Sequence, residues 1–274
     1  MFNKIKSRIF SSHHNPSNNR TDMASSYTSV EVSRHIHEAD KAKFQLSKFM
    51  GSVEKGTEFV SLGENCSSAW YLKQLGLKEG SYPFDWIFSS PDIVLDCIND
   101  KFEKYLDKEL ISPKDDQVSA GHFYYHSNLF NHRNPLASED DYNYFKRCCN
   151  RFFELVNSQD HSCYLITLIN EPSKKPGWAK GFTNQFHMPK DQSIETVSSL
   201  IENIKERNIN SKFVIIDHYT NSNRPTISKK INDSVFLVEF YAGGESTGVF
   251  YKNQLDDFCF KLVLTGLYGI SKNT

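Results

Sequence analysis

The chain reads as an α/β protein: a layered, mostly parallel sheet flanked by helices on both faces, preceded by a disordered N-terminal tail. Three observations predict this. The runs CYLITLI (163–169), FVIID (213–217) and VFLVEFY (235–241) are nearly continuous in apolar residues, the pattern of strands buried on both faces. Segments of helical periodicity lie between them. A fourth, shorter run, Phe59, Val60 and Leu62, passes through Gly63 directly into another helical pattern. Strand and helix in alternation are the mark of parallel βαβ units.

Taken in order, residues 1–30 are rich in Ser, Asn and His and lack periodic apolar positions, so a disordered tail is expected, with 31–274 as a single α/β domain. His13 and His14 in that tail are the sort of pair that can catch a metal, but a flexible tail is the preferred account of them. Residues 32–50 are charged and helix-like, suited to a helix packed outside the core. The first strand leads to a helix from Ser67, in which Ala69, Leu72 and Leu75 recur and which Gly76 is placed to end. Ser90 or Asp92 is placed to cap a helix running from Ile93 to about Leu106. A short strand is expected at FYYH (123–126), after Gly121. Ser138 and Asp141 resemble a capping box, opening a helix with Phe145, Cys149, Phe152 and Val156 on its apolar stripe. The polar loop NEPSKKPGWAKGFTN, which follows the 163–169 strand, is long enough to be a functional flap. A helix capped by Ser193, with Val197, Ile201 and Ile204 inward, and a closing helix over 253–264 complete the reading.

The chain of 274 residues has a formal net charge of -1, which leaves no electrostatic footprint for nucleic acid. No apolar stretch approaches the length of a membrane span. Its six cysteines include no C-x-x-C pair and sit mostly within apolar patterns, as reduced core thiols of a cytoplasmic protein would. Neither a dinucleotide fingerprint nor a P-loop occurs, and neither a cofactor nor a metal is expected. The oligomeric state is not written in these residues.

The chemistry concentrates where the first strand turns into its helix. Cys66 stands at the helix N-terminus, where unpaired amides and the helix dipole favour a thiolate. Gly63, Asn65, Cys66 and Ser67 offer backbone amides for an oxyanion or another anion. GGESTG (243–248) is a second loop of that kind. A thiol mechanism needs a histidine partner, and His122, His126, His132 and His218 are the candidates. If the sheet is parallel, His218 and Cys66 share its carboxyl edge. Asp85, among large apolar groups in YPFDWI, must be paired or hydrogen-bonded. Glu171 and Asp217 end apolar strands and suit a sugar hydroxyl or a cation. Arg133, Lys174, Lys175 and Lys180 fall in predicted loops.

The run SLGENCSSAWYLKQLGLKEGSYPFDW resembles the N-terminal motif of a bacterial and viral domain family described as papain-like cysteine peptidases. The matching positions are Leu62, Gly63, Asn65, Cys66, Gly76, Leu77, Pro83, Phe84, Asp85 and Trp86. Downstream, FNHRN is similar to the family's Phe-x-His segment, and the likeness extends over roughly residues 58–240. The resemblance implies a Cys66–His132 pair with Asp85 or Asn131 as orienter. It also implies a papain-type antiparallel sheet, against the parallel one the alternation predicts. The expected function is therefore a cysteine-dependent hydrolase or acyl transferase acting on a small-molecule, glycan or peptide substrate. A glycosyltransferase-like nucleotide-sugar enzyme and a non-catalytic binding module are the alternatives.

Overall fold

The structure is a computed structural model that describes residues 27–170, 180–186 and 197–270. Four strands run parallel, each paired with the next: β1 (Glu58–Ser61), β4 (Ser162–Ile169), β5 (Ser211–Tyr219) and β7 (Val235–Tyr241). β6 (Ile227–Lys230), not foreseen from sequence, adds to β7 antiparallel, giving the order β1-β4-β5-β7-β6. β2 (Ile111–Pro113) and β3 (Ala120–His122) form a separate small antiparallel pair.

The period-2 geometry of strands divides each continuous apolar run between two cores. Tyr164, Ile166, Leu168, Phe213 and Ile215 face one core, whereas Cys163, Leu165, Val214, Ile216, Val238 and Phe240 face the other. The first core is closed by α3 (Pro91–Asn99), α5 (Glu139–Val156) and α6 (Ser198–Arg207). Its centre is aromatic, with Phe84, Phe102, Tyr105 and Phe152 edge-on or tilted at ring distances of 5.4–6.1 Å. The second is closed by α1 (Ser29–Met50), α2 (Ser67–Gln74) and α7 (Gln254–Leu264).

Several expectations change. α1 does not lie outside the core: small residues at Ala39 and Ala42 let it sit close, and Leu46 and Phe49 bury beside Phe236. The predicted 93–106 helix breaks in two, because Lys101 and Phe102 take left-handed backbone angles (φ 57° and 64°). Asp100 Oδ1 accepts the Phe102 amide at 3.0 Å, and the break drops the Phe102 ring into the aromatic core before α4 (Glu103–Leu106) resumes. The FYYH strand is a turn instead: His122 Nδ1 accepts the amides of Tyr124 and Tyr125, and the strand ends at His122. By contrast, Ser138 caps α5 as read, its Oγ accepting the Asp141 amide at 3.1 Å. Gly76, at φ +68°, ends α2, with the Leu77 amide reaching back to the Leu72 carbonyl. Of the expected 1–30 tail, residues 1–26 lie outside the described residues, as do Glu171, Lys174, Lys175 and the Ser193 cap. The end of that tail is corrected, because Thr28 caps α1 and Ser29 and Val30 already belong to that helix. Among the described residues no helix is long and apolar enough to cross a membrane.

Candidate active site

Because β1, β4 and β5 are parallel, the turn after β1 and the end of β5 lie at one carboxyl edge of the sheet, with the end of β4 between them. The turn is tightly seated there. Leu62 and Glu64 donate their amides to the Leu165 and Thr167 carbonyls, and the Glu64 carboxylate accepts the Ile169 amide at 2.8 Å. Gly63 is required by this approach: a Cβ would fall on Thr167 Oγ1 and Ser68 Oγ.

Cys66 is the N-cap residue of α2, in right-handed helical geometry, with its carbonyl accepting the Trp70 amide at 3.0 Å. Its side chain is only 6% exposed. Burial pushes the thiol up to about 12 and the nearby Asp85 charge adds to this, outweighing its own backbone amide, which pulls the other way. The resting group is thus a neutral thiol, not the thiolate that the helix terminus alone would favour. Asn65 Oδ1 accepts the Ser67 amide at 3.0 Å, and the Gly63 amide goes to Ser68 Oγ. Two of the expected anion-binding amides are therefore already engaged. With its oxygen fixed in this way, Asn65 presents Nδ2, a donor, towards Gly248.

The candidate histidines separate clearly. His122 uses both ring nitrogens on backbone, Nε2 on the Lys104 carbonyl and Nδ1 on two amides, so it locks a turn. His126 Nδ1 accepts the Asn128 amide, and its ring packs edge-on against Phe182 at 4.5 Å. His132 is exposed, edge-on to Trp86 at 6.4 Å, with Asn131 Nδ2 lying 3.3 Å from its Nε2. Its loop is laced to the motif: the Phe88 amide reaches the Leu129 carbonyl, and the Ser89 amide the Glu64 carbonyl.

His218, 3% exposed near the end of β5, has Nδ1 3.1 Å from the Tyr251 hydroxyl. Ser67, Tyr71, His218, Ser246, Phe250 and Tyr251 line one cleft, too narrow to admit water. Its cover is the hairpin-like loop 245–252, in which the Thr247 amide meets the Phe250 carbonyl and the Lys252 amide the Glu245 carbonyl. Gly248 there adopts φ +89°. Tyr251 and Glu64 were not singled out from sequence, and the start of this loop was read only as part of GGESTG. Tyr251 arrives from 180 residues beyond Tyr71, and a glutamate beside a turn ordinarily reads as solvated.

Asp85, 1% exposed, directs its carboxylate to Lys78 (2.6 Å), the Tyr82 amide (2.7 Å) and the Ser61 hydroxyl (2.8 Å). Burial raises its pKa, and Lys78 opposes that rise. It braces the Pro-Phe-Asp-Trp turn onto β1, and none of these contacts is to an imidazole. Asp217 accepts from the Asn170 side-chain amide and the Tyr219 hydroxyl. Arg133 pairs with Asp141 at 2.6 Å, and Lys180 is exposed. The GGESTG loop is not an open anion cradle: its Gly243 and Gly244 amides hold the protein's own Asp256 carboxylate. Among the described residues no three His, Cys, Asp or Glu side chains gather as a metal-holding group.

All six cysteines are free and buried. Burial lifts Cys66, Cys163 and Cys259 to about 12 each. Between their unfolded value of about 9 and 12 the native chain keeps protons that the unfolded chain has lost. This contribution to stability is intact below pH 9 and falls as pH rises, by roughly 1.4 kcal/mol per pH unit for each thiol. Urea denaturation under reducing conditions should show a steep loss of stability between pH 8.5 and 10.5, shallower in Cys163→Ala. A flat profile would contradict the burial of these thiols.

These features define a class: an α/β protein with a thiol at the point where the first strand of a parallel sheet becomes a helix. The chain belongs to the family described as "Putative papain-like cysteine peptidase", whose sequence profile matches residues 57–221. The sheet is mostly parallel all the same, not the antiparallel one that the papain-type label implies. An uncharacterized protein of Acanthamoeba polyphaga mimivirus is 49% identical over 37 residues, 14% of this chain, and the match spans only 17% of that protein's length. No solved structure matches the chain.

Proposed function

We propose that the protein is a cysteine-dependent hydrolase, with Cys66 attacking the carbonyl of an acyl or peptide substrate. His218 takes the thiol proton as the sulfur–carbon bond forms, then delivers it to the leaving group. Reaction requires the 245–252 loop to move off the cleft; water, or another acceptor in a transfer reaction, then releases the acyl group from sulfur. The observation that carries this reading is that His218 lines the same cleft as Ser67, the residue beside the thiol. A neutral resting thiol fits a histidine that works as a general base rather than as half of a standing ion pair. Tyr251, bonded to Nδ1, holds the imidazole so that its other nitrogen handles the proton. The Cys66 amide and Asn65 Nδ2 serve as oxyanion donors, since the Gly63 and Ser67 amides are engaged.

His132, the partner implied by the resemblance, stands on the Trp86 side of the motif, where we assign it to substrate contact together with Asn131. Six reduced thiols suit a cytoplasmic setting.

The test is hydrolysis of an activated ester and of a peptide library by purified variants. Cys66→Ala and Cys66→Ser should each abolish turnover with the fold retained. His218→Gln should lose about 10²–10⁴-fold in kcat, and His132→Ala less than about tenfold. Full activity in Cys66→Ala would remove the thiol mechanism and leave the sugar-nucleotide reading. A larger loss at His132 than at His218 would reassign the base.

A further inference from the structure

A cavity of about 280 Å³ opens between α5 and the turn that follows α2, and it shares no residue with the cleft at His218. Tyr144, Arg147 and Arg151 present one stripe of α5 to it, and Gly80 and Ser81 form the facing wall. Arg151 is fixed in place: Nη1 donates to the Ser81 carbonyl at 2.6 Å, and its stem lies against Gly80, where a Cβ would sit 3.3 Å from Cδ. Arg147, one turn away, makes no hydrogen bond or ion pair among the described residues.

Two neighbouring cations are already matched. Lys78 is paired with Asp85, and Arg133 is bonded to Asp141 while stacking at 3.9 Å on Tyr144. What remains is two guanidiniums against one carboxylate, Glu79, on the lining. Two planar forks on one wall can grip two edges of a tetrahedral oxyanion, whereas a carboxylate satisfies a single fork.

We propose that this cavity is a binding site for a phosphate dianion, carried as a monoester or free. Tyr144 and Ser81 close the site around the group held by Arg147 and Arg151. Glu79 sits where it repels the anion and moderates its affinity.

The experiment is calorimetric titration of the full chain with inorganic phosphate at pH 7.5, with potassium chloride holding ionic strength constant. Saturable binding to one site is expected, weakened at least tenfold in Arg147→Ala and in Arg151→Lys, and strengthened severalfold in Glu79→Gln. Arg147 and Glu79 are exposed, so circular dichroism of those two variants should match the parent protein. Absence of saturable binding, or an Arg147→Ala protein that binds as the parent does, overturns the site. Acetate binding as tightly as phosphate overturns the preference for a tetrahedral dianion. Because the readout is binding, the result does not depend on whether Cys66 is catalytic.

Discussion

Replacing Asp85 with alanine should lower the stability of the protein by about 3–5 kcal/mol, the usual consequence of removing one partner of a buried ion pair. Lys78 would keep only the Gly80 carbonyl, at 2.7 Å, in a site where its own side chain is 7% exposed. The Tyr82 amide and the Ser61 hydroxyl would also lose their acceptor. Guanidinium denaturation measures the change, and the double replacement Lys78→Met with Asp85→Leu should recover much of it, because it leaves no charge stranded. A loss below about 1 kcal/mol for Asp85→Ala would mean that the ion pair contributes little. If Asp85 instead oriented a catalytic histidine, its removal would cut turnover while leaving the denaturation midpoint in place. Asp85→Asn carries a second signature. Removing the negative charge that helps to raise the Cys66 pKa should speed iodoacetamide labelling of that thiol at alkaline pH.

Asp256→Ala should be comparably damaging, at about 3 kcal/mol or more, for a related reason. Its fully buried carboxylate accepts the Tyr27 hydroxyl at 2.5 Å, the Gly244 amide at 2.9 Å and the Gly243 amide at 3.3 Å, and lies 3.2 Å from His35 Nε2. One side chain thereby ties α1, α7 and the end of β7 together. Thermal unfolding should show the loss, and Tyr27→Phe, which removes one donor to the carboxylate and one acceptor of the Gly243 amide but strands no charge, should cost less, about 1–2 kcal/mol. Equal losses for the two variants would argue that the carboxylate is not the hub of this cluster.

Much of the architecture was legible because it rests on local pattern. Apolar runs such as 163–169 specify buried strands, and Ser138 and Gly76 carry the capping chemistry that bounds helices. The break at Lys101 and Phe102 was not legible, since neither residue ordinarily takes a left-handed backbone and tertiary packing of the Phe102 ring decides it. β6 was missed for the opposite reason: ISKK has one apolar residue, and it pairs because β7 offers it an edge.

At the site, the thiol and its strand–turn–helix setting could be read directly. Its protonation state could not, because it is set by burial, which depends on how the whole chain packs around the thiol. The engaged Gly63 and Ser67 amides follow the same rule: which donors are spare depends on side chains, here Ser68 and Asn65, that fold back upon them. GGESTG looked like an anion loop and is one in a sense, but the anion is Asp256.

The outer strand β6 has a consequence for the behaviour of the protein in concentrated solution. It is four residues long, runs against its neighbour and is largely exposed, with Lys229 and Lys230 along it. A short, positively charged border strand is a poor template for a strand from another molecule. The opposite border, β1, is equally short. Fibrillar or sheet-to-sheet self-association is thus discouraged at both flanks, even though the central strands β4, β5 and β7 would be strongly aggregation-prone if exposed.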